Sequence, residues 1–243
     1  MNRNRFFLVL ALAWAAAGSV RSAAAEWQET YAGLLRRHVT AKGVDYRGWS
    51  SDKSDLGRLA EVVRSIASEA PSGTRNQRLA WYLNAYNALV LHKLLLVYPA
   101  DLTDSGRRAR FFQDRDLVIA GDRMSLEDLE VRVLRQTFRD PRLHFALNRG
   151  TASSPALPDR PFHAATLEAD LDARTREFLR HHPHGVRSAE SGHRVAVSRM
   201  FEWFREDFEG GDVQRFISRH RTDPLPPGVS LEYLAYDWGR NDG

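Results

Sequence analysis

The chain has 243 residues, 43% hydrophobic and 10% aromatic, which excludes a disordered polymer and is enough for one domain with its own core. It has no cysteine, which excludes a disulfide, a thiol nucleophile, a cysteine-ligated zinc and thiol redox chemistry. Lys+Arg number 35 against 31 Asp+Glu, but without Arg3, Arg5 and Arg21 of the N-terminal segment the balance is 32 to 31, so charge gives no case for nucleic acid or an acidic membrane surface.

The chain opens with a basic region (residues 2–5), an apolar run (6–17, FFLVLALAWAAA) and small residues (22–25) before Glu26. That is the layout of a secretory signal peptide over residues 1–25, cut between Ala25 and Glu26. The run is shorter than the ~20 residues of a membrane span, so no stable span is expected in the mature chain. Residues 26–243 are expected to form a single domain, periplasmic or secreted.

Along the mature chain, residues 28–39 have helical spacing, with Tyr31, Leu34, Leu35 and His38 on one side and Gly43 beyond. Residues 43–49 read as a turn or short extended piece, and 56–66 as a second amphipathic helix. Residues 77–98 are apolar nearly all round, which predicts a central buried helix stopped by Pro99. Residues 116–124 suggest a hairpin turning at Gly121-Asp122. Ser125 and Asp128 have capping-box spacing, with a helix over 126–138. Pro141 precedes an expected strand at 143–147, then a Gly/Ser/Pro loop at 148–162 and a helix at 166–181. Residues 193–198 alternate like a strand. Short helices are expected at 201–208 and 213–220, and a last strand at 233–238. With no regular βαβ alternation or repeat, the class is α+β: a helical half with a central buried helix packed on a small, mostly antiparallel sheet.

Chemistry concentrates in residues 143–155, LHFALNRGTASSP, a histidine leading into a loop of small hydroxyls. His144 is a satisfied core residue or a general base. Ser154, or water, would be its nucleophile, with Asp237 (between Tyr236 and Trp238) as orienter and the loop amides as oxyanion donors. Asn84 and Asn87, one turn apart on the central helix, either tie down backbone or line a site with Arg149 and Ser153. Glu127, Asp128 and Glu130 read as helix-start charges, and Arg205, Glu206 and Asp207 as a helix-face ion pair. His181, His182 and His184 flank Pro183, which breaks metal-site spacing; a solvated loop is expected, with no metal and no cofactor.

Together VDY (44–46), WYLNAYNAL (81–89), SLEDLE (125–130), HFALNRG (144–150), FEWFREDF (201–208) and YDWGRN (236–241) resemble, in order, the DUF547 family, a family of unknown function. The resemblance implies an exported or multidomain-associated module with no settled activity, and a fold distantly similar to papain-like or transglutaminase-like proteins, with Asn84, Asn87 and His144 close together. It also implies that the loop ordinarily carries two cysteines, where this chain has Arg149 and Ser154, and that the 126–138 helix carries a histidine where this chain has Val131. The implied function is a catalytically degenerate module that binds a peptide, an envelope component or a partner protein. A hydrolase or acyl-transfer enzyme using His144 and Ser154 is the alternative.

Overall fold

The computed structural model describes residues 23–188 and 194–243; the expected signal segment lies outside them apart from the backbone of 23–25, and so does His193. Helix α1 (Ala23–His38) buries Trp27, Tyr31, Leu34 and Leu35, an i, i+4, i+7, i+8 stripe laid on α3 (Lys53–Ser68). Strands β1 (Val39–Thr40) and β2 (Gly43–Val44) form a minimal hairpin. The segment read as a turn contains a helix, α2 (Tyr46–Ser51). The Asp45 carboxylate caps it on the Gly48 N–H at 2.8 Å, and Tyr46 and Trp49 bury its inner side. Gly48 masks this helix in the sequence.

The central helix is α4 (Arg75–Val97), started by a Thr74–Gln77 capping box and buried along most of its length. Helix α5 (Ser105–Gln113) has no counterpart in the sequence reading. Its arginines obscure the apolar face, of which only Phe111 and Phe112 are buried. The hairpin β3 (Leu117–Ile119) and β4 (Asp122–Met124) turns at Ala120-Gly121, one residue earlier than expected, with φ of 53° and 89°. Positive φ at both central residues matches the strand twist. The N–H groups of Ala120 and Gly121 donate to the Ile66 and Ala67 carbonyls, docking the turn on the end of α3.

The 126–138 helix is present as one run, α6 (Leu126–Asp128), a π-helical stretch (Leu129–Arg135) and α7 (Gln136–Phe138). The wider π turns bury Leu129, Glu130 and Leu134. The strand expected at 143–147 is instead a 3-10 turn, Pro141–Phe145. The Asp140 carboxylate accepts from Arg142 N–H at 2.9 Å, and Pro141 at the first helical position presets φ. A short run of uniformly buried apolar residues carries no period that tells a strand from a helical turn.

Helix α8 (Leu167–His181) follows the long loop. Strands β5 (Val186–Ser188), β6 (Arg194–Val197) and β7 (Ser230–Tyr233) form a sheet in that order, antiparallel then parallel. Between them lie α9 (Met200–Trp203), a 3-10 turn (Arg205–Asp207) and α10 (Val213–His220). The last strand thus ends at Tyr233, where the expected one begins, because its ladder with β6 runs out at Val197. The α+β class and central helix match the expectation, with the strands of the described residues divided among three small sheets, mostly antiparallel. Among the described residues, the buried apolar side chains form two clusters. Leu143, Ala146 and Leu147 belong to the helical one and Phe145 to the one around the sheet, so His144 sits where the two meet.

Candidate functional site

Both amides of α4 serve the backbone. Asn84 donates to the Phe162 carbonyl at 2.9 Å and accepts from the Phe162 N–H at 2.8 Å. Asn87 donates to the Ala146 carbonyl at 3.0 Å and accepts from the Asn148 N–H at 2.9 Å. The two side chains clip both ends of the 148–162 loop to the central helix. Neither is hydrogen-bonded to His144.

Within the loop, Gly150 has φ of 72°, and a Cβ there would stand 2.1 Å from Leu94 Cδ1, so the turn requires glycine. Ser154 Oγ lies 2.8 Å from Thr151 Oγ1 and 3.3 Å from the Tyr236 hydroxyl, and accepts from the Arg149 N–H at 3.1 Å. Ser153 Oγ accepts from the Asp237 N–H at 2.8 Å. Both serines are buried. The Asp237 carboxylate is exposed and accepts from the Gly239 N–H. Neither Ser154 nor Asp237 is hydrogen-bonded to His144; the serine contacts join the loop to the C-terminal segment.

The carboxylate that meets His144 is Asp207, from the aromatic segment after α9. His144 Nε2 lies 2.7 Å from Asp207 Oδ2, which also accepts from Arg135 Nε at 2.6 Å. Burial pushes the His144 pKa down, opposed by Asp207, and the neutral ring donates through Nε2. Burial opposes ionisation of Asp207, but the hydrogen bonds from His144 and Arg135 outweigh it and hold the carboxyl well below the usual range. The helix-face pair expected among residues 205–207 is therefore a long-range dyad.

A second buried pair adjoins the first. Arg149 Nη2 donates to Glu130 Oε1 at 2.5 Å, and the Tyr86 hydroxyl donates to Glu130 Oε2 at 3.2 Å. Burial and the neighbouring Glu130 raise the Tyr86 pKa well above its ordinary value, so the phenol stays protonated. Of the three acids near the helix start, Asp128 makes the cap, whereas the π turn carries Glu130 inside. Phe204 joins the two pairs. The His144 ring stacks on it at 4.4 Å, and the Arg135 and Arg149 guanidiniums lie 4.6 and 5.3 Å from its centre.

Two clefts flank these pairs. One of about 390 Å³ is lined by Val131, Arg135, Arg139, Glu206 and Asp207. Another of about 280 Å³ is lined by Arg108, Phe112, Glu127, Glu130, Arg149 and Trp238. His182 is not in a freely solvated loop. It stacks on Phe178 at 4.6 Å and accepts from the His184 N–H at 3.1 Å. Among the described residues, no group of three or more His, Asp or Glu could hold a metal ion.

Glu130, Arg135, Phe204 and Asp207 are the site residues that sequence reasoning missed. The one usable signal was a carboxylate among aromatics at 201–208, the argument applied instead to Asp237. Residues 71–179 match the model of the family described as protein of unknown function, DUF547. No curated protein and no solved structure matches the chain. The matched segment contains α4, the π turn, His144 and the Arg149–Ser154 loop. Over residues 71–179 the chain is thus similar to the DUF547 family, and it carries no cysteine.

Proposed function

We propose that this protein is a catalytically degenerate binding module exported to the cell envelope. The observation that carries the reading is the Arg149–Glu130 pair, with Arg149 standing where the family pattern places a cysteine. A guanidinium paired with a buried carboxylate beside Phe112 and Phe204 is neither nucleophile nor base. The other two candidates are engaged as well, His144 with Asp207 and Ser154 with Thr151 and Tyr236. Activation of a serine needs a base within hydrogen-bond reach of its hydroxyl, and the hydrogen-bond partners of Ser154 Oγ, the Arg149 and Thr151 N–H groups, Thr151 Oγ1 and the Tyr236 hydroxyl, include none. The leader-like segment supports export, with Glu26 expected as the mature N-terminus.

The test is steady-state hydrolysis of p-nitrophenyl acetate and of a mixed peptide library, comparing wild type with His144→Ala. The expected rates match buffer in both. Turnover lost in His144→Ala would overturn the proposal in favour of a hydrolase with His144 as base and water or Ser154 as nucleophile.

A further inference from the structure

Residues 155–161 (PALPDRP) carry a proline at every third position. Proline fixes its own φ and holds the residue before it extended, so the segment can form neither helix nor tight turn. At three residues per turn its prolines fall on one side. All three are buried, whereas Ala156, Asp159 and Arg160 are exposed. The segment is pinned at both ends. The Pro155 carbonyl accepts from Asn148 Nδ2 at 2.6 Å, and Asn84 holds both main-chain groups of Phe162. Between these anchors no N–H and no carbonyl of residues 156–161 makes a hydrogen bond among the described residues. A main chain held extended and left unpaired is a template for a second extended chain.

This segment forms one wall of a trough, and α8 forms the other. One part, about 300 Å³, lies between residues 158–162 and 170–177. The next, about 200 Å³, lies between residues 155–156 and 174–183, bordered also by Ala41 and Phe145. The two parts share Arg174 and Glu177. From Asp170 to His181 the helix runs about 16 Å, room for about five extended residues. Arg160 is paired with Asp170 at 2.7 Å, but Arg174 makes no hydrogen bond and no ion pair among the described residues, although it is half-buried. Burial pushes its pKa down, and Asp159, Asp170 and Glu177 offset only part of that. A half-buried cation that no acid of the chain neutralises is matched by a carboxylate brought from outside.

The walls select among ligands. Phe145, Phe162 and Phe178 border the trough but are buried, so it offers no aromatic face to a sugar and no open apolar pocket to an acyl chain. Asp170 and Glu177 on the same wall oppose the double charge of a phosphate. The exposed side chains of Ala156 and Ala173 are small, so another main chain can come close. The trough continues on both sides of Arg174, so the carboxylate that meets it belongs to a side chain within the ligand and not to a chain end. We propose that this trough binds an extended peptide, its main chain paired with residues 156–160 and one aspartate or glutamate side chain on Arg174. The proposal rests on the binding-module reading and names the ligand.

The test selects from a displayed library of random heptapeptides on the full folded chain. Synthetic copies of the enriched peptides, with capped and with free termini, and inorganic phosphate are then titrated by fluorescence anisotropy, the phosphate as competitor. Enriched peptides are expected to share one Asp or Glu position and, when capped, to bind with a Kd of about 100 μM or tighter. Changing that acid to its amide is expected to weaken binding to wild type about tenfold and to leave binding to Arg174→Gln, itself about tenfold weaker, unchanged. N-methylation of alternate peptide N–H groups is expected to weaken binding as well. Ala173→Trp, at an exposed position in the trough, is expected to abolish binding with the urea midpoint unchanged. No enriched peptide, or binding that Arg174→Gln and Ala173→Trp both leave unchanged, overturns the trough and leaves the non-catalytic reading standing. Binding that requires a free peptide C-terminus, or phosphate that displaces every peptide, also overturns the proposal. Cleavage of a bound peptide supports the trough and overturns the non-catalytic reading.

Discussion

At the scale of single residues, the site is a set of commitments. Arg149 and Glu130 neutralise each other with their side chains only 16% and 5% exposed, so removing one leaves a buried charge. Arg149→Met is expected to lower unfolding stability in urea by about 3 kcal/mol, and Arg149→Met/Glu130→Leu to recover most of it. A single-variant loss below about 1 kcal/mol would mean that the pair is not locked. The histidines give a pH signature. Burial holds His182 at about 4 against its ordinary 6.5, and His144 moves in the same direction. Between those values the unfolded chain binds more protons than the folded one, so stability rises with pH. The contribution is complete above 6.5 and lost as pH falls through about 4. The urea midpoint is expected to fall from pH 7 to pH 4, and less so in His182→Asn, whose amide oxygen can still accept from His184 N–H. An equal slope in that variant would remove His182 from the account. His144 was legible as a candidate because a lone histidine stands out in an apolar, small-residue stretch, and Arg149 because it stands where the resembled pattern has a cysteine. Their partners were not. Asp207 is one of three consecutive charged residues, and no local spacing selects the one that reaches back 63 positions to His144.

At the scale of elements, the sequence reading succeeded where one physical signal dominated. The stripe of α1, the all-round apolarity of α4 and the Ser125–Asp128 cap each fix an element with little tertiary help. It failed where signals cancelled. Arginines hide α5, a glycine hides α2, and the continuous apolar run after Pro141 reads equally as strand or 3-10 turn. The π turn at Leu129–Arg135 has no sequence mark at all, yet it brings Glu130 inside to meet Arg149. The two amide clips of α4 are testable at this scale. Asn87→Leu leaves the Ala146 carbonyl and Asn148 N–H buried without their partner, at about 1–3 kcal/mol for each group. Amide exchange should then quicken in the 146–155 segment before the rest of α4; a uniform change along the chain would contradict the clip.

Across the whole molecule, the C-terminal segment ties the halves together. Asn241 carbonyl and N–H bond Val44 and Gly150, Gly239 carbonyl accepts from Ala152, and Gly243 N–H reaches Val44. A Cβ on Gly43 would stand 2.5 Å from the Asn241 carbonyl, which explains a glycine there. Removing residues 235–243 deletes several bonds of about 1 kcal/mol each and is expected to lower Tm by about 10 °C. An unchanged Tm would make the segment incidental. These closures join positions from about 90 to nearly 200 residues apart, distances over which sequence patterning carries no information. The architecture gives the loop a rigid frame on both sides while its polar side chains are spent on structure. The most direct measurement is intact mass after incubating the folded protein with a fluorophosphonate. The account predicts no adduct on Ser154, whose hydroxyl is held by Thr151 and Tyr236; an adduct at Ser154 that disappears in His144→Ala would contradict it.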